Sequence, residues 1–117
     1  MRRLTRYAEE ALVKGARAVI LIGSLARGDY TAFSDADLLI IVEESAERPL
    51  DRVAKFIDPS MPIDLEPRVY TIDELAQMAK RGARMVKEAL SHGKLLAGDE
   101  RLIAKLKESL ENMVEKR

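Results

Sequence analysis

The residues with the clearest capacity for chemistry lie close together in this sequence: Gly23 and Ser24, then ten intervening residues, then Asp35 and Asp37 on either side of Ala36. In an extended strand, alternation puts Asp35 and Asp37 on one face with Cα atoms roughly 6.5 Å apart. Two carboxylates so close repel at neutral pH unless a cation lies between them or one is protonated. Magnesium or manganese, held by oxygen, removes the conflict. Two such ions about 3.5–4 Å apart can clamp the attacking and leaving oxygens of an in-line phosphoryl displacement, and such a site calls for a third carboxylate. Asp64, within Ile63-Asp64-Leu65, is the preferred supplier, and Glu66, on the same face of the same alternating segment, is the alternative. Gly23 lets the backbone approach a phosphate, and Ser24 offers a hydroxyl and an N–H near a helix start, which suits a nucleotide triphosphate. Arg27 either adds a charge-assisted contact to those phosphates or pairs with Asp29 or Asp35.

Other metal chemistries are closed. The chain has no cysteine, so disulfides and thiolate sites are excluded, and a lone His92 cannot build a zinc cluster. Its place before Gly93 at a helix end suits a cation that offsets the helix dipole, a structural role. Twenty basic and 20 acidic side chains balance to zero net charge. A dedicated duplex-DNA binder carries a basic excess, whereas one triphosphate needs only a few well-placed groups. The basic N-terminus is followed by Glu9 and Glu10, and no apolar run reaches spanning length, so no membrane partner and a cytoplasmic location are expected.

The elements that must position these residues follow from periodicity. Of 117 residues, 47% are apolar and 34% charged, the profile of a globular chain, and the length suits one domain, residues 1–117. Leu4, Ala8, Ala11 and Leu12 mark a first helix closed by Lys14-Gly15. Residues 18–22 and 38–42 are unbroken apolar runs, each a strand buried on both faces. Residues 25–31 read as a short helix or turn between them. Pro49 opens a helix that Asp58-Pro59 stops. Residues 63–70 alternate as a half-exposed strand, and Pro67 places it at a sheet edge.

Thr71 with Glu74 has capping-box spacing, and one apolar stripe continues from Ile72 to Leu90 as a long helix. Ile103, Leu106, Leu110 and Met113 repeat helical spacing near the C-terminus. The predicted class is α/β (α+β), a small sheet flanked by helices in the order αβ(α)βαβαα, with Leu95-Leu96 available for a further short strand. Tyr30 and Tyr70 are read as edge packing, and Met78, Met85 and Met113 as filling core or interface space. Lys105, Lys107, Glu108 and Glu111 form a solvated helix face. The final amphipathic helices offer a stripe that a homodimer would cover.

Gly-Ser, ten residues and then Asp-x-Asp resemble the signature of the DNA polymerase beta-like nucleotidyltransferase superfamily. Arg27-Gly28 and Ser34-Asp35-Ala36-Asp37-Leu38 look like its minimal nucleotidyltransferase branch, of the MntA antitoxin type. The resemblance implies the nucleotidyltransferase fold with a mixed sheet. It implies that Asp35 and Asp37 bind two Mg2+ ions, and that Asp64 binds one and helps activate an acceptor hydroxyl. It further implies that Gly23, Ser24 and Arg27 hold the phosphates of an NTP. Minimal members resemble the antitoxin half of a two-gene module whose partner is a small all-helical HEPN protein of RNase type, silenced when AMP is transferred from ATP to its tyrosine. The expectation is a protein adenylyltransferase acting as an antitoxin. The rival is a non-catalytic module that neutralises a HEPN partner by contact; a transferase acting on a small molecule such as an aminoglycoside is disfavoured by the short chain.

Overall fold

The two unbroken apolar runs must be buried on both faces, and in the computed structural model, which describes residues 2–23, 36–61 and 65–115, they form the centre of a four-stranded sheet. Strand β1 (Ala16–Ile22) pairs antiparallel with β2 (Ala36–Val42), in a register running from Ala16 opposite Val42 to Ile22 opposite Asp37, with an irregularity between Ala16 and Ala18. Strand β3 (Leu65–Thr71) lies parallel to β2, and β4 (Lys94–Gly98) antiparallel to β1, giving the order β3-β2-β1-β4. The alternating segment is an edge strand, as Pro67 requires, because an edge can do without its missing N–H.

Among the described residues, five helices cover the two faces: α1 (Arg2–Val13), α2 (Pro49–Ala54), α3 (Ile72–Lys80), α4 (Arg84–His92) and α5 (Glu100–Glu115). Leu4, Tyr7, Ala8 and Ala11 of α1, with Phe56, pack on Val19, Leu21, Leu38 and Ile40. Leu75 and Ala79 of α3, Val86 and Leu90 of α4, and Leu102 and Leu106 of α5 pack on Ile20, Ile22, Leu39 and Ile41. Fully burying each of the Val, Leu, Ile and Phe side chains among them contributes about 1.5–3 kcal/mol. Tyr70, Met78 and Met85 join the second cluster partly buried, while Lys105, Lys107 and Glu108 are exposed. No helix among the described residues is long and apolar enough to cross a membrane.

The structure departs from the predicted order where one long helix becomes two. The stripe from Ile72 to Leu90 is carried by two helices, because Gly82 adopts φ +75° and closes α3 in a Schellman turn. There Ala83 N–H donates to the Met78 carbonyl and Gly82 N–H to the Ala79 carbonyl, both at 3.0 Å. Both helices lie on the same sheet face, so the apolar phase continues although the helix does not. Leu95-Leu96 does build a strand, and the observed order is αββαβααβα. The short helix or turn expected at 25–31 lies outside the described residues. The helix from Pro49 ends at Ala54, and a turn then carries Phe56 into the core.

Among the described residues, one charged side chain is buried with these elements. Arg52 of α2 is 6% exposed; its Nε donates to the Glu47 carbonyl at 2.9 Å, and its guanidinium grips both Glu74 oxygens, at 2.5 and 3.3 Å. Glu74 also completes the expected capping box, accepting from Thr71 N–H at 2.8 Å while Glu74 N–H donates to Thr71 Oγ1 at 3.1 Å. One carboxylate thus caps α3 and fastens α2 to it. The Arg52 guanidinium, ahead of the Thr71 contacts, holds the Glu74 carboxyl below its usual range. Replacing Arg52 with Ala should lower unfolding free energy by about 2 kcal/mol in urea titrations, reduced from a fully buried pair because Glu74 meets solvent. Because the native pKa of Glu74 is depressed, its stabilisation is full above the unfolded value and is lost as pH falls through the native one. Glu74→Gln should therefore be less stable than the parent at neutral pH and flatten the acid limb of a melting-temperature profile.

Candidate active site

Strand directions bring Gly23, Asp37 and Glu66 to one end of the sheet. Because β1 runs against β2, and β2 along β3, the end of β1 meets the beginnings of β2 and β3. Asp37, second in β2, stands between Ile22 of β1 and Glu66 of β3. Directly opposed residues share a face. Asp37 therefore continues the face on which Leu39 and Ile41 are covered by helices, at a point where solvent reaches it: its side chain is 28% exposed.

Gly23 follows β1 immediately and holds φ +77°, a conformation that disfavours any residue with a Cβ. A Cβ built there would stand 2.5 Å from Oδ2 of Asp37. The glycine is thus needed twice, for the turn and for the carboxylate lying against it. On the other side of Asp37, Arg68 Nη1 approaches Oδ1 to 3.6 Å. Arg68 was read in the sequence only as a polar member of an alternating strand. Its phase, two residues beyond Glu66 on a face shared with Asp37, was the available signal, but the parallel pairing of β2 with β3 is invisible without the fold.

Of the predicted site residues, Gly23 and Asp37 are brought together. Ser24, Arg27, Asp35 and Asp64 lie outside the described residues, as does Tyr30. Glu66, the alternative third carboxylate, is exposed on β3 in register with Asp37. Among the described residues no three acidic or histidine side chains gather as a metal cluster. The donor available is a hard carboxylate beside a glycine cradle that a Cβ would fill, which fits a magnesium-class ion. His92, in the last turn of α4, is exposed and precedes the Gly93 cap, in keeping with its structural reading.

Gly23→Ala should lower stability by about 1–2 kcal/mol from the positive φ alone, and should also weaken divalent-ion binding because Asp37 must move. Denaturant titration and calorimetry check both, and a variant unchanged in both would contradict the packing described.

Comparison with known proteins places the chain in a family. The bifunctional uridylyltransferase/uridylyl-removing enzyme of Ralstonia nicotianae is 32% identical over 88 residues, covering 73% of this chain and 10% of that enzyme. The chain thus spans about a tenth of the length of the curated relative it matches. Among solved structures, a toxin–antitoxin with AMP-PNP superposes with TM-score 0.65 at 15% identity, covering 96% of this chain and 87% of that one. An MntA-HpeT toxin–antitoxin mutant gives 0.61 at 11%, covering 98% and 86%. A complex of the tri-AMPylated Shewanella oneidensis HEPN toxin with MNT antitoxin gives 0.53 at 15%, covering 100% and 92%. At these identities the structural likeness concerns the fold, a mixed sheet flanked by helices. Residues 4–97, which include the whole sheet except Gly98, match the nucleotidyltransferase domain model, and the chain belongs to the nucleotidyltransferase domain family.

Proposed function

We propose that this chain transfers a nucleoside monophosphate, AMP from ATP, to a hydroxyl on a HEPN-type protein, and so acts as the antitoxin of a toxin–antitoxin pair. The observation that carries the reading is the seating of the Asp37 carboxylate against the glycine of the Gly-Ser turn, at the end of the sheet where three strand ends converge. In the family this chain belongs to, divalent metal supplies electrostatic stabilisation of the transferring phosphoryl group. Asp37, joined by Asp35 and Asp64, would hold two magnesium ions. Gly23 and Ser24 would present backbone N–H groups and a hydroxyl to the triphosphate, and Arg27 a guanidinium. The acceptor oxygen attacks the α-phosphorus, the hydroxyl proton passes to the carboxylate of Asp64, and pyrophosphate leaves. The contribution of the protein is orientation and charge placement.

Two further findings support this reading. The MntA-HpeT mutant superposed above changes two aspartates, two positions apart, to glutamate, the spacing of Asp35 and Asp37. The Shewanella complex holds a toxin carrying AMP. The Ralstonia relative is named a uridylyltransferase, so UTP is the competitor to test against ATP.

With labelled ATP, magnesium and a co-expressed HEPN-type partner, the partner should gain the mass of AMP. Asp37→Ala should reduce transfer roughly a hundredfold or more, about 3 kcal/mol of barrier, while circular dichroism stays native. Asp64→Asn should match that loss and Glu66→Gln should not. Label persisting at the parental rate in Asp37→Ala would overturn the assignment, and neutralisation of the partner without any label would favour contact alone.

A further inference from the structure

The charges on the Asp37 face include one that the transfer chemistry does not call for. Glu66 stands directly across the β2–β3 pairing from Asp37, in strands that run about 4.8 Å apart. Like charges in that relation destabilise a sheet. Arg68 is registered with Leu39, on the same face, and reaches back along the sheet to place Nη1 3.6 Å from Asp37 Oδ1. Its charge is permanent, because a guanidinium does not lose its proton in proteins. The contact is longer than a hydrogen bond, and the Arg68 side chain is 43% exposed, so packing does not lock it in place.

We propose that Arg68 is the resident counter-ion of the candidate metal site: it balances the Asp37 carboxylate while no divalent ion is bound and must leave it when one arrives. The inference rests on the reading of Asp37 as a metal ligand. A guanidinium this close to Oδ1 and a divalent ion on the same carboxylate repel each other and compete for the same negative charge. Arg68 therefore lowers the affinity of the free protein for metal and guards the acidic face against its own repulsion. It is a positioning residue, acting through Asp37 and not on the reacting atoms.

The test uses the whole chain without nucleotide and Mn2+ as a spectroscopically visible probe, whose resonance signal is lost on binding. Arg68→Gln should bind Mn2+ roughly two- to fivefold more tightly than the parent, the scale of an exposed ion pair, and this difference should shrink as salt rises. Arg68→Lys, which keeps the charge, should stay near the parent. Equal or weaker binding by a natively folded Arg68→Gln, or a Lys variant that behaves like the Gln variant, would overturn the counter-ion role. Asp37→Asn separates the two levels of the argument. If it binds Mn2+ as the parent does, Asp37 is no ligand and the metal reading falls together with this inference. If it binds less while Arg68→Gln equals the parent, only the role of Arg68 falls.

Discussion

The register between β1 and β2 is the constraint on which the rest depends. Side chains alternate with a period of two, so a slip by one residue would put Asp37 on the opposite face from Ile22 and separate it from Gly23. An apolar-in, polar-out pattern cannot specify this register, because both strands are buried on both faces for nearly their whole length. Shape constrains it instead, since the Asp37 carboxylate lies where a Cβ on Gly23, just past Ile22, would stand, and shape ties β1 to its other neighbour in the same way. A Cβ at Gly98 of β4 would come within 2.5 Å of the Ala18 Cα and 2.9 Å of its Cβ, so the smallest residues of β4 and β1 must face each other. At the far end Asp37 is the one polar residue of its strand, and only the Ile22 position lets it reach solvent past the end of the helical cover.

Charged groups fasten the sheet at the end away from Asp37. Arg17, next to the start of β1, pairs with Glu43 at 3.0 Å just past the end of β2 and with Asp99 at 3.4 Å just past β4. Asp99 in turn accepts from Arg101 N–H at 2.9 Å, opening α5. That backbone hydrogen bond, ahead of the Arg17 guanidinium, holds its carboxyl below the usual range. On the α1 face, the Tyr7 hydroxyl donates to the Phe56 carbonyl, and burial, with the Asp58 charge behind it, pushes its pKa up to about 12. The tyrosine thus stays neutral and tied to the turn after α2. The half-exposed ion pairs of Arg17 are individually small; the value of these contacts is to join segments distant in sequence around strands whose burial does most of the stabilising.

The sheet centre, the edge strand with Pro67, the capping box and the terminal helix are all legible in the sequence, because each has a local signal: an unbroken apolar run, strict alternation, a Thr-x-x-Glu spacing, a heptad-like stripe. The division of the stretch from Ile72 to Leu90 is not, since periodicity reports which face is buried and Gly82 interrupts the backbone without disturbing that face. Gly23 and Asp37 are legible as a pair because their spacing is carried by two recognisable strands. The bond between Arg52 and Glu74 and the approach of Arg68 to Asp37 are not, because they join residues 22 and 31 positions apart through a parallel crossover whose geometry exists only in three dimensions.

The charge pattern at the site also constrains the order of events in the proposed reaction. Asp37 and Glu66 stand side by side on one face, with Arg68 as the cation drawn to it. A nucleotide triphosphate is itself strongly anionic, and unscreened like charges a few ångströms apart at a protein surface oppose each other by several kcal/mol at an effective dielectric of about 20. A bare triphosphate would therefore be opposed by these carboxylates, whereas one that arrives with its divalent ion brings positive charge with it. The same acids that would orient the ion thus also favour the metal complex of the nucleotide over the free anion. Arg68, released from Asp37 by that arrival, keeps its positive charge beside a ligand that is still anionic. Positive charge would thus stand beside the Asp37 carboxylate both before and after the ion arrives.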